Sequence, residues 1–222
     1  MPSQYRLQID NRTITTLESV TLGLSIRTES WAVARKPFFG RPIHAWLYGP
    51  DYIQAWWTLA IEVDEQSGDD GAPQPQLTAP VDLTRFPARL DAIGGQGLAQ
   101  GEGAAIEAWY GNDGPELRNN VVTFGDWQGP DALNVRWTAD YDWGVRRPEV
   151  IPFLFEGPAV FTGIEMSVKD DADAPVFLKH VFPALDLSQL GMAWGNERLI
   201  THKGYAPDRR RWRDVRWTRK GG

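Results

Sequence analysis

Two stretches of this chain alternate apolar and polar residues with a period of two. In residues 53–63, Ile53, Ala55, Trp57, Leu59, Ile61 and Val63 share one parity; Gln54, Trp56, Thr58, Ala60 and Glu62 share the other. In residues 133–143, Leu133, Val135, Trp137, Ala139, Tyr141 and Trp143 alternate with Asn134, Arg136, Thr138, Asp140 and Asp142. Successive side chains of an extended chain point to opposite faces, so each stretch predicts a half-buried strand with its apolar parity inward. Shorter runs of the same kind are Val20, Leu22, Leu24, Ile26 and Val160, Thr162, Ile164, Met166, Val168. No long segment carries the i, i+3, i+4, i+7 apolar spacing of an amphipathic helix. Short helical turns are expected at 86–93 and 183–190, and the apolar run around His180 reads as a strand. With 22 glycines and 16 prolines punctuating the chain, the fold class is mainly β. Antiparallel sheets of the sandwich or open-barrel type are expected, with a few short helical turns.

The two alternating stretches begin alike. Gly49-Pro50-Asp51-Tyr52-Ile53-Gln54-Ala55-Trp56-Trp57-Thr58 aligns without gaps on Gly129-Pro130-Asp131-Ala132-Leu133-Asn134-Val135-Arg136-Trp137-Thr138, in the same strand phase. Further on, Ala79-Pro80-Val81, Phe86-Pro87 and Leu90-Asp91 find counterparts, in order, in Ala174-Pro175-Val176, Phe182-Pro183 and Leu185-Asp186. Two matches in one order predict an internal duplication. The expected organisation is a first β unit at 1–92, a flexible glycine-rich linker at 93–104, a second β unit at 105–190 and a basic C-terminal segment at 191–222. Val215-Arg216-Trp217-Thr218 repeats Val135-Arg136-Trp137-Thr138, so that last segment is expected to hold a terminal strand. The glycines of 93–103 fit neither G-x-G-x-x-G nor a P-loop, and no Lys-Ser/Thr follows them.

Charge separates the segments further. Residues 203–222 hold eight cations against two aspartates, net +6, which leaves −12 on residues 1–202 of a chain whose overall charge is −6. An acidic body repels nucleic acid and favours basic partners. Nucleic acid is expected only through the C-terminal segment, and then only if that segment is not a strand. The N-terminus lacks a signal-peptide core and no run approaches about 18 apolar residues. There are no cysteines, which removes disulfides, zinc–thiolate sites and cysteine nucleophiles and fits a reducing compartment. A cytoplasmic protein with no membrane segment is the expectation.

Candidate chemistry is sparse. His44, His180 and His202 have no metal-ligand spacing, and no Gly-x-Ser-x-Gly elbow exists. The acidic loops at 64–71 and 170–173 lack the calcium-loop pattern. No metal and no cofactor is expected. Asp140 and Asp142 share a strand face about 6.6–6.8 Å apart, a spacing that inverting glycosidases also use. Neighbouring carboxylates on one solvated face lack the differing environments that such catalysis requires. Trp56 stands out among eleven tryptophans because its parity is the polar one, and an outward tryptophan suits a protein interface or a sugar ring. The second unit carries about fifteen extra residues, including Arg146 and Arg147, and insertions carry function. The candidate binding residues are therefore Trp56, Glu62, Asp140, Asp142, Arg146 and Arg147.

These readings point to a non-enzymatic protein that binds another macromolecule, most simply an inhibitor or immunity-type protein capping a basic protein such as a toxin. The alternatives are a carbohydrate-binding module or glycosidase, and a structural component of a secretion or phage assembly.

Overall fold

The alternating stretches become strands of one curled sheet, an open half-barrel with its apolar parity inside. The computed structural model describes residues 5–9, 12–14, 17–27, 33–38, 41–46, 53–63, 74–99, 106–110, 116–141, 150–169, 174–199 and 211–220. Its elements in chain order are β1 (Arg6–Ile9), β2 (Arg12–Ile14), β3 (Leu17–Arg27), β4 (Val33–Phe38), β5 (Arg41–Trp46), β6 (Gln54–Val63) and β7 (Pro75–Pro80). There follow β8 (Gly97–Ala99), β9 (Glu107–Tyr110), β10 (Leu117–Gln128), β11 (Ala132–Tyr141), β12 (Ile151–Lys169), helix α1 (Ala174–Val181), β13 (Leu190–Leu199) and β14 (Arg211–Arg219). Two 3₁₀ turns lie at Leu90–Ile93 and Leu187–Gln189, inside the windows where helical turns were expected.

Twelve strands share the main sheet, whose central path runs β8-β10-β11-β12-β3-β6-β7-β9; β4 and β5 form a separate hairpin. The 19-residue β12 organises this sheet. Its first half lies between β11 and β1, and its second half between β14 and β3. Among the described strands every pairing is antiparallel except β3 with β12, which is parallel. Trp57 and Trp137 each lie on the middle strand of an antiparallel triplet, β3-β6-β7 and β10-β11-β12. Trp57 sits between Leu24 and Ala79, and Trp137 between Val122 and Phe155.

The predicted faces of β3, β6 and β11 are the observed ones. Val20, Leu22, Leu24, Ile26, Trp57, Leu59, Ile61, Leu133, Val135, Trp137 and Tyr141 are all buried. In β12 the expected parity fails before Ile164. Val160 is exposed and Phe161 buried, because the register with β3 shifts between Phe161 and Gly163. An inserted residue of this kind moves every side chain beyond it to the other face.

Two other expectations are corrected. His180 lies on helix α1 and is exposed, not on a strand. Ala174, Phe177, Leu178 and Val181 are the buried residues of that helix, an i, i+3, i+4, i+7 set over just two turns, with Pro175 pre-set for the first of them. The glycine-rich segment is not a free linker over its described part. Gly95 turns at φ +82°, its N–H donates to the Phe124 carbonyl, and β8 pairs with β10. Ile93 is fully buried, and the closeness of Gly97 to the Val122 carbonyl leaves little room for a side chain. Residues 100–105 lie outside the described part.

The segments around Phe86 and Phe182, matched to each other in the sequence, meet in space. Their rings are 4.2 Å apart, and Phe86 also stacks on Trp57. The Asp186 N–H donates to the Ala88 carbonyl, and the Leu90 N–H to the Gln189 side chain. Their surroundings differ nonetheless, since Ala79 ends a strand whereas Ala174 opens a helix.

Candidate functional site

Residues 211–219 pair on one side with β12 and on the other with β13. Val215 and Trp217 are buried and Arg216 is exposed. The strand carries its cations onto the body. Arg216 bonds Glu165 at 2.5 Å. Arg219 bonds Asp91 at 2.6 Å, lies over the Trp127 ring and donates to the Gly129 and Pro130 carbonyls. Arg213 lies over Trp194.

The outer face of β3, β12, β14 and β13 holds a half-open groove of about 500 Å³. Ser25, Glu165, Ser167, Ala193, Asp214 and Arg216 line it. All six have the outward parity of their strands, and the registers set Ser25, Glu165, Arg216 and Ala193 in one row across the sheet. Ser25, Ser167 and Ala193 are small, and this keeps the floor low between two carboxylates. Glu165 holds Arg216, while Asp214 accepts a hydrogen bond of 2.7 Å from the Ser167 hydroxyl. A second hollow, of about 340 Å³, lies over β10, β11 and the first half of β12, with one carboxylate, Glu156, beside Arg136.

Trp56 adjoins the first groove. It pairs with Ser25 across β6 and β3 on the same face, and it is half-buried. Glu62 shares that face six residues further along β6, where it accepts a hydrogen bond from Ser19. At about 3.3 Å per residue the two are roughly 20 Å apart. Asp140 is further still. It pairs with Pro152 at the start of β12, whereas the Trp56 row crosses β12 at Glu165. Asp140 accepts from the Asn119 side chain at 2.6 Å. Asp142, Arg146 and Arg147 lie outside the described residues. Of the three described candidates, Trp56 alone lies beside the groove.

The residues that form the groove were not singled out in the sequence. The alternation of 160–168 marks Glu165 and Ser167 as outward, and the Val215/Trp217 phase marks Asp214 and Arg216 as outward. Nothing local says that these two segments become neighbours.

Several displaced titrations belong to turns rather than to the groove. Hydrogen bonds from Thr84 lower the Asp82 pKa, those from Ser188 lower that of Asp186, and the Arg89 hydrogen bond, helped by Arg219, lowers that of Asp91. Burial raises the Tyr141 hydroxyl to about 12. Among the described residues no group of three or more His, Asp or Glu side chains is placed to hold a metal ion. No described helix is long and apolar enough to cross a membrane. No family model, curated protein or solved structure matches the chain.

Proposed function

We propose that this chain is a non-enzymatic binding protein that engages a basic protein partner, in the manner of an inhibitor or immunity protein. The observation that carries this reading is the groove between β3 and β13, with Glu165 and Asp214 on one low floor and Trp56 at its flank. A cationic side chain entering it meets two carboxylates and two serine hydroxyls, the donor–acceptor set that charge-assisted hydrogen bonding favours. Arg216 already fills part of that role from within the chain, so a partner's lysine or arginine would exchange with it. The net charge of −6 would steer such a partner from a distance, and more strongly at low salt. The packing of β14 supports this over a nucleic-acid arm, since Arg216 and Arg219 are engaged by Glu165 and Asp91.

The test is affinity capture from the source cells with the wild-type chain and with Glu165→Gln/Asp214→Asn, followed by mass spectrometry. A basic protein retained by the wild type, released by salt and lost from the double variant supports the reading. Retention of the same proteins by both chains, or of none by either, overturns it.

A further inference from the structure

Most edges of the main sheet are protected by brevity. β2, β8 and β9 have three, three and four residues, and short edge strands offer little for another chain to pair with. β13 is different. It has ten residues, regular from Leu190 to Trp194 and bulged between Trp194 and Glu197, and among the described strands it pairs only with β14. Residues 192 to 195 are all exposed, Met192 at 42 % and Trp194 at 41 %. Both belong to the parity that is buried elsewhere in the sheet, because Met192 pairs with Trp217 and Trp194 with Val215. The core face therefore runs out to this edge, where among the described residues the Arg213 guanidinium over the Trp194 ring is its cover. Neither a proline nor a charge lies between Leu190 and Asn196, although 23 % of the chain is charged.

We infer that β13 pairs antiparallel with β13 of a second copy, about a two-fold axis at Ala193. The sequence is self-complementary in this register. Met192 falls opposite the second copy's Trp194, and Trp194 opposite its Met192, so each exposed apolar side chain covers the other. A thioether against an aromatic ring is a favourable contact. On the outer face Gly191 meets the second copy's Gly195, and Ala193 meets itself, so nothing obstructs the approach. Moving the axis to Trp194 would set Met192 against Asn196 and lose the match. Residues 190–196 carry no charge of their own, and the cation nearest the seam, Arg213, is stacked on Trp194 of its own chain, so no carboxylate of one acidic chain is set against the other's within this stretch. Isologous pairing of this kind closes after two copies and does not propagate. The grooves of the two copies then flank the seam. The inference does not depend on what enters them.

The experiment is sedimentation velocity of the full chain over a concentration series, for the wild type, Ala193→Lys, Ala193→Glu and an equimolar mixture of the two variants. Ala193 is exposed, so both variants should keep the wild-type circular dichroism and melting temperature. The wild type should shift from one-chain to two-chain mass as concentration rises. Each variant alone should stay at one-chain mass, because like charges face each other on the axis. The mixture should recover the two-chain mass. A wild type that stays monomeric overturns the inference, as do variants that dimerise as well as the wild type or a mixture that fails to recover. Loss of the partner in the capture experiment would leave these masses unchanged.

Discussion

Trp137 offers a demanding probe of the core, because its ring is fully buried and its indole N–H is committed. The N–H donates to Asn120 Oδ1 at 2.9 Å, and Asn120 Nδ2 donates to the Leu117 carbonyl at 2.6 Å. Asn120 is itself fully buried, and the Trp137 ring meets Phe153 edge-on at 4.7 Å. Replacing Trp137 by alanine removes a large aromatic, a change that costs about 3–5 kcal/mol. It also takes a donor from a buried carbonyl, which adds roughly 1–3 kcal/mol. A domain is stable by only about 5–15 kcal/mol, so Trp137→Phe is the more readable variant. It keeps most of the ring, leaves a smaller void and removes the N–H. Its cost should be about 2–4 kcal/mol, divided between the void and the unmet oxygen. Asn120→Ala and the double variant complete a cycle. With both partners gone the oxygen no longer needs a donor, so the double variant should cost less than the sum of the singles by about 1 kcal/mol or more. Guanidinium melts followed by circular dichroism give the four values without confusing one tryptophan with the other ten. Additive costs would refute a functional Trp137–Asn120 bond. A cost below about 1 kcal/mol for Trp137→Ala would refute the burial of this face altogether.

Two glycines with positive φ should respond differently to alanine. Gly129 (φ +78°) has open space around it, whereas a Cβ on Gly163 (φ +108°) would collide with the Trp217 carbonyl. Gly129→Ala should cost about 1–2 kcal/mol from the left-handed backbone alone, and Gly163→Ala clearly more; equal losses in thermal melts would contradict the close approach of β12 to β14. Arg219→Ala should destabilise the chain at neutral pH by about 1–3 kcal/mol through its lost hydrogen bonds and ring contact, with Arg219→Lys recovering only part. Because Asp91 is held below its ordinary value of 3.8, its stabilisation is complete above that pH and is lost as pH falls through the lower, folded value. The gap between wild type and Arg219→Ala should therefore narrow below about pH 4; a gap that is constant with pH would detach Arg219 from Asp91.

Strand phase was legible wherever one face is buried and the other wet. Trp57, Trp137 and Leu24 were placed correctly because a period of two needs only local information. The alternation of 160–168 sets Val160 on the wrong face because nothing in it except Gly163 marks the bulge. The helix at Ala174–Val181 was hidden by its length, since two turns of apolar spacing look much like a buried strand. The glycines of 93–99 suggested slack, yet Gly97 is there to let β8 approach β10. The groove was beyond reach for a different reason. Glu165 and Asp214 are 49 positions apart, and only the register of β12 with β14 makes Ser167 and Asp214 partners. Local patterns fix which way a side chain points, but they do not fix which strand lies beside it.

The long strand β12 also governs the order in which the molecule can assemble. β1 and β3 each find one of their two partners in residues 153–166, so the first 150 residues leave the ribosome with both strands lacking that neighbour. The parallel contact of Thr21 with Val160 closes a loop of about 140 residues, and such pairings form late because their closure entropy comes before any reward. β14 must then wait for β12 in turn. Refolding should accordingly be slow for a chain of this length, with the early meanders exposing open edges until β12 arrives. That interval is when aggregation competes with folding, and a helper that binds the nascent chain would act there.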